Sequence, residues 1–164
     1  VILLEPLGIT SAGFGPPPDI WGHRPKLQIG TLTTGRGSPA EPGLARSDNP
    51  AVMTPAGRLH LTLADWAKFQ HLFLNQGHGM LEAATIERLL AVPPGKGRGM
   101  AMGWAPAGGL DGASHGMQGS NTLWAATALI DAGSDRAALV VANDGRTSLL
   151  RRSAHLAASI LQSG

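Results

Sequence analysis

An α+β fold, an antiparallel sheet flanked by helices, is what this 164-residue sequence predicts, and three features point there. Residues 59–77 and 147–161 repeat apolar side chains at the spacing of an amphipathic helix. Between them, residues 122–131 and 136–143 read as two strands of a hairpin closed by Ala132, Gly133 and Ser134, a connection so short that the strands must run antiparallel. A hydrophobic content of 43% supplies the apolar surface that a core needs. No internal repeat is present.

Taken in chain order, the opening apolar stretch to Leu4 runs into Glu5-Pro6-Leu7-Gly8, the end of a helix or strand entering a turn, since Pro6 lacks a donor and Gly8 tolerates positive φ. Residues 11–58 change character. Eight of the 12 prolines fall between Pro16 and Pro55, and apolar periodicity is lost apart from short pieces such as Leu27 to Leu32, so a long Pro/Gly-rich loop laid over a site is expected.

Helices are expected within residues 59–95. In the first, Thr62 caps the free amides, Asp65 favours the positive end of the dipole, and Trp66, Phe69, Leu72 and Phe73 form the inward stripe before Gly77 stops it. That stripe is read as core. The second spans Glu82 to Ala91, with Ile86, Leu89 and Leu90 inward, and ends before Pro93 and Pro94.

Residues 99–143 are read as antiparallel strands: Met100 to Ala105, Ser114 to Met117, and the hairpin already described. A C-terminal helix over residues 147–162 turns Leu149, Leu150, Leu156 and Ile160 inward and Arg151 and Arg152 to solvent.

Composition excludes several classes of function. Thirteen Lys and Arg against 11 Asp and Glu leave a net charge of +2, too weak a field for a nucleic-acid binder despite an isoelectric point near 9.7. Without Cys there are no disulfides, thiolate nucleophiles or thiolate metal sites, and without Tyr no phenol in this chain takes part in catalysis. No apolar run approaches the roughly 18 residues of a membrane span; Leu123 to Ile130 is strand-sized. The chain begins at Val1, not Met, and is expected to be a fragment of a longer protein.

Three motifs look chemical and are set aside. Gly112-Ala113-Ser114-His115-Gly116 matches the nucleophile-elbow pattern G-x-S-x-G, but that elbow needs a helix right after the Ser, and here Gly116, Gly119 and a β-rich run follow. The six histidines (23, 60, 71, 78, 115 and 155) lack metal-ligand spacing and acidic companions, so no metal site is expected. The Gly95 to Gly99 stretch has no phosphate-loop pattern, and Lys96 and Arg98 read as solvated loop charges. No cofactor is expected.

One ordered set of segments resists a generic reading. Glu5-Pro6-Leu7-Gly8-Ile9-Thr10, Trp21-Gly22-His23, Pro55-Ala56-Gly57-Arg58-Leu59-His60 leading into Asp65-Trp66-Ala67-Lys68-Phe69, and Gly119-Ser120-Asn121-Thr122-Leu123-Trp124 resemble the C-terminal half of the serine β-lactamase and penicillin-binding-protein family, nearest to class C-like esterases and D-aminopeptidase or carboxypeptidase homologues. The resemblance covers nearly all of residues 1–164 and implies a partial β-lactamase/transpeptidase-like fold. It also implies a serine hydrolase that cleaves an ester, amide or β-lactam through an acyl-enzyme, in a periplasmic or secreted setting.

In that family a Ser of S-x-x-K is the nucleophile, with a second Tyr or Ser motif and a third motif on the sheet edge. No Ser here has Lys three residues later, so the missing N-terminal portion of the same protein is expected to supply nucleophile and base. The third motif in esterase-like members is H-x-G-S-N. By resemblance, Ser120 presents a backbone N–H to the oxyanion, Gly119 allows close approach of substrate, and Asn121 fixes the strand end. Laid down without a gap, Met117 takes the His position and Gln118 the middle one. His115 arrives two residues early, so either a two-residue bulge brings it into place or the usual polar group is missing. Trp21 either contacts substrate from the Pro-rich segment or anchors it, and Trp124 reads as core. A non-catalytic binding or structural domain with the same architecture is the competing reading.

Overall fold

The computed structural model describes residues 2–30, 32–44, 46–95 and 99–163. Lys96 and Arg98, read above as loop charges, lie outside them. The chain opens with turns up to Gly8, which takes the expected positive φ of 64° and swings Leu7 and Ile9 into the core. Strand β1, Gly13–Phe14, follows and pairs with β4, Leu59–His60.

The expected long loop is corrected by the fold. Strands β2, Gly22–Ile29, and β3, Leu32–Ala40, form an antiparallel hairpin inside it, with Ile29 opposite Leu32. The prolines hide this ribbon from the sequence pattern. Pro25 sits at the register shift after His23, and Pro39 lies next to the strand's last residue, places where strands tolerate proline. A one-turn helix α1, Thr54–Gly57, completes the segment.

Helix α2, Leu63–Leu74, starts four residues later than the periodicity suggests, because Leu59 and His60 are taken by the pairing with β1. Thr62 caps it as expected, its hydroxyl accepting from the Asp65 N–H at 3.3 Å. At the far end Gln76 takes the left-handed conformation (φ 48°), and the Gly77 N–H closes back on the Leu72 carbonyl at 2.7 Å. Helix α3, Ala83–Leu90, follows with Ile86 buried.

The main sheet has the order β5-β6-β7-β8, all antiparallel: β5 Ala105–Pro106, β6 His115–Ser120, β7 Ala125–Asp131, β8 Arg136–Ala142. The strand expected over Met100 to Ala105 is reduced to β5, because the Ala101 N–H turns back onto the Trp104 carbonyl at 2.7 Å. Helix α4, Thr147–Ser163, lies across the other face of the sheet.

Strand β7 is covered on both sides, so it reads as a continuous apolar run rather than an alternating one. Ala128 and Ile130 face α2 and α3 in a core with Leu72, Phe73, Ile86 and Trp104. Leu129 faces α4 with Ala157, Ala158 and Leu161. Each of the large aliphatic side chains that is fully buried there contributes about 1.5–3 kcal/mol. The inward stripe of α4 is another correction. Ser153, Ala157, Ala158 and Leu161 are buried while Leu156 and Ile160 are exposed, since small residues let the helix approach β7 closely.

The β2–β3 hairpin is fastened to one end of this sheet. The His23 N–H donates to the Leu123 carbonyl at 3.2 Å, its ring contacts the Asn143 carbonyl at 2.9 Å, and the Thr147 N–H donates to Thr33 Oγ1 at 2.9 Å. Nearby Asp144 is buried, which raises its pKa, but hydrogen bonds from Arg146 outweigh that and hold the carboxyl below its usual range. No helix among the described residues is long and apolar enough to cross a membrane.

Candidate functional site

Strand β6 is the edge on which the sequence reading concentrates, and its first half is closed. Strand β5 covers only His115 and Gly116, and the Ala107 N–H donates to the Ser114 carbonyl at 3.0 Å. From Met117 to Ser120 the strand pairs with β7 alone among the described residues, and all four are exposed. Backbone direction alternates along a strand, so the bond at Ser114 sets the N–H groups of Gly116, Gln118 and Ser120 toward this same edge. The N–H groups of Gln118 and Ser120 therefore project into the open half.

The two glycines of β6 differ in what requires them. A Cβ on Gly116 would lie 2.7 Å from Leu129 Cδ2, so packing demands glycine there. A Cβ on Gly119 would meet nothing within 4 Å. Packing does not impose glycine at 119, and its bareness leaves the strand surface open to close approach.

Pairing runs without a register shift from His115↔Ile130 to Ser120↔Ala125, so the two-residue bulge that would carry His115 to the third-motif position is absent. The His115 ring is held instead by the Leu90 carbonyl (Nε2, 3.1 Å) and the Ser114 hydroxyl (Nδ1, 3.1 Å). Met117 stands two residues before Gly119, half exposed. Ser114 itself is a latch: its hydroxyl donates to the Ile130 carbonyl and accepts from the Ala132 N–H, both at 3.1 Å, and a strand, not a helix, follows it. The nucleophile elbow is therefore not formed, as its context indicates.

Past the strand, the chain is held in a strained turn. Thr122 has φ 72°, unfavourable for a β-branched residue. The Asn121 side chain sustains it, accepting from the N–H groups of Leu123 (3.1 Å) and Trp124 (2.9 Å). Ser120 Oγ accepts from the Thr122 N–H at 2.9 Å and donates to the Gly145 carbonyl at 2.7 Å. Gln118 reaches the α4 side, donating to Thr127 Oγ1 and to the Leu150 carbonyl.

Asn121 also points across to the Pro-rich segment, donating to Asp48 Oδ1 at 2.9 Å. Asp48 accepts on its other oxygen from Arg58 Nε at 3.2 Å, and Arg58 in turn bonds Thr54 Oγ1. An open cleft of about 730 Å³ lies beside this bridge, reached by Asn121, Thr122, Arg24, Arg46, Arg58 and Gln28. Trp21 is outside the cleft's described lining; its ring is exposed and its carbonyl accepts from Asn143 Nδ2. Trp124 packs against Gly22, where a Cβ would come within 2.8 Å of the indole.

Asp48, Arg58, Arg24 and Arg46 were not legible as site residues, because nothing local in the sequence pairs them with position 121. No group of three or more metal-ligating side chains occurs among the described residues.

No protein-family pattern and no curated protein matches this chain. Among solved structures, an octameric penicillin-binding protein homologue from Pyrococcus abyssi superposes with a TM-score of 0.66 at 18% identity. The match covers 98% of this chain and 36% of that one, so this chain spans about a third of the length of its structural neighbour. At that identity the likeness speaks to fold: the architecture is a partial penicillin-binding-protein/β-lactamase-like α+β fold.

Proposed function

We propose that this chain forms the oxyanion edge and part of the cleft of a serine hydrolase of the β-lactamase/esterase type, with the nucleophilic Ser and its Lys contributed by polypeptide outside it. The open half of β6, on a fold of this kind, is the observation that carries the reading. In the proposed reaction the Ser hydroxyl adds to the carbonyl carbon of an ester or amide and its proton passes to the Lys. The carbonyl oxygen, now an oxyanion, is held by the Ser120 N–H, with Gly119 giving it room to approach. Collapse expels the alcohol or amine, which takes the proton, and water then releases the carboxylate from the acyl-enzyme.

In this scheme Met117 occupies the place that a His or Lys holds in the family pattern, and His115 is a packing group on α3. Trp21 lies outside the cleft lining and serves as an anchor, its carbonyl held by Asn143 Nδ2.

The test joins two preparations. This chain alone, exposed to a fluorophosphonate probe and a chromogenic acyl ester, is expected to show neither labelling nor turnover; labelling of Ser114 or any other Ser overturns the proposal. A polypeptide that includes the upstream coding sequence is expected to do both, and Ser120→Pro, which deletes the N–H, is expected to lower its kcat by about 10²–10³-fold. Ser120→Ala keeps the N–H and is the folding control.

A second reading, a binding or structural domain without hydrolysis, is favoured by the apolar Met117 at the third-motif position. It is distinguished by the longer polypeptide: ligand binding without acylation supports it.

A further inference from the structure

The tip of the β2–β3 hairpin is apolar and joins neither hydrophobic core. Leu27, Ile29 and Leu32 are 52%, 65% and 64% exposed. Register gathers them on one face: Ile29 lies opposite Leu32, and Leu27, two residues back on β2, points the same way. The other face is the fastened one. Thr33, opposite Gln28, is buried and accepts from the Thr147 N–H, and Gln28 borders the cleft. The apolar patch therefore looks away from both the main sheet and the cleft.

Charge is distributed as unevenly as apolar surface. Strands β2 and β3 carry Arg24, Lys26 and Arg36 and no Asp or Glu, a charge of +3 where the whole chain has +2, so everything outside the hairpin sums to −1. None of the three cations makes an ion pair among the described residues; the Arg36 guanidinium meets only the His23 ring. Lys26 stands three residues behind Ile29 and Arg36 four beyond Leu32, roughly 10–13 Å along the strands from the tip.

We infer that this hairpin docks on an anionic lipid surface, with Leu27, Ile29 and Leu32 entering the boundary between headgroups and acyl chains. Apolar groups of an interfacial anchor sit about 5–10 Å deep there, which leaves the long Lys26 and Arg36 side chains at the level of the lipid phosphates. Charge complementarity selects this occupant. A second copy of the chain would set +3 against +3, and a nucleic acid would pair with the cations but leave three aliphatic side chains in water. A lipid leaflet accepts both. The inference rests on the hairpin and is independent of the hydrolase reading.

Sedimentation with unilamellar vesicles tests it. The chain is expected to bind phosphatidylcholine vesicles containing about a third phosphatidylglycerol at least tenfold more tightly than phosphatidylcholine alone, a margin that shrinks as salt is raised. Ile29→Ser/Leu32→Ser is expected to weaken that binding at least about tenfold, and Lys26→Gln about fivefold. Leu156→Ser/Ile160→Ser, which removes exposed apolar groups from α4 instead, is expected to bind like the parent. Because the chain has no Cys, Ile29→Cys and Ser134→Cys each accept one environment-sensitive dye, the second at the turn between β7 and β8. Anionic vesicles are expected to shift emission from position 29 to the blue and leave position 134 unchanged. Equal binding to the two vesicle types, an unshifted dye at position 29, full affinity in Ile29→Ser/Leu32→Ser, or loss of binding in Leu156→Ser/Ile160→Ser overturns the inference. So does a dimer of the parent that Ile29→Ser/Leu32→Ser dissociates, since the tip would then be covered by a second copy. Loss of vesicle binding in a polypeptide that includes the upstream coding sequence overturns it as well, because the added portion would then occupy the patch.

Discussion

Asp65 shows how one side chain joins two segments that are remote in sequence, helix α2 and the chain at Thr10 and Ser11. Its carboxylate accepts from Lys68 Nζ at 2.6 Å, from Ser11 Oγ at 2.6 Å, and from the N–H groups of Thr10 and Ser11 at 2.9 and 2.8 Å. Those donors, Lys68 and Ser11 first, hold its carboxyl far below the ordinary value of 3.8. A depressed carboxylate contributes stability at pH values above its unfolded pKa, and the contribution drains away as pH falls toward the folded one. Denaturant midpoints measured in steps downward from pH 5 are therefore expected to drop steadily below about pH 4. Asp65→Asn is expected to be less stable at pH 7 and to flatten that acid limb; a variant with the parent's full acid slope contradicts the assignment. Gly22 makes a steric case at the same scale. A Cβ there would meet the Trp124 ring at 2.8 Å and the Leu123 carbonyl at 2.9 Å, so Gly22→Ala is expected to cost about 1–3 kcal/mol in urea unfolding.

Strand β6 and helix α2 illustrate which elements a sequence discloses. The α2 cap was legible because its signals are local, Thr62 followed three residues later by Asp65 and then an apolar stripe, whereas the pairing that takes Leu59 and His60 out of the helix is remote. The hairpin β2–β3 was not, because its strands are polar on average, carry Pro25 and Pro39, and are fixed by remote partners such as Asn143 and Thr147. The candidate site divides along the same line. Gly119-Ser120-Asn121 stood out as a contiguous motif, whereas Asp48 and Arg58 join it only through folding, 73 residues separating Asp48 from Asn121. Where His115 falls was undecidable from composition, since it depends on strand register, and the ladder with β7 runs unbroken from His115 to Ser120. The two β6 glycines give a paired prediction. Gly116→Ala drives a methyl into Leu129 and is expected to destabilise by about 1–3 kcal/mol. Gly119→Ala is expected to leave unfolding within about 0.5 kcal/mol of the parent, yet to weaken substrate turnover by the longer polypeptide, because its methyl occupies the open face. A Gly119 variant with parental turnover would remove the close-approach role.

The molecule as a whole pairs a rigid base with a tethered flap. Buried on both faces, β7 carries the two cores, so its amides open only when the entire domain unfolds. The hairpin has no comparable core: Leu27, Ile29 and Leu32 near its turn are exposed, and a few hydrogen bonds around His23 and Thr33 fasten its base. Because Arg24 rides on this flap while Asn121 belongs to the base, the cleft between them depends on that fastening. Native-state hydrogen exchange should accordingly report two levels. The amides of Ala128 to Ile130 are expected to exchange at the rate set by global unfolding, and those of residues 26–35 faster by orders of magnitude. Loss of the His23 ring in His23→Ala removes its contacts with Asn143 and Arg36, so exchange is expected to rise across β2 and β3 while the β7 amides remain the slowest. Equal protection of hairpin and β7 would mean that the two unfold together, and the flap would then be no more mobile than the sheet it rests on.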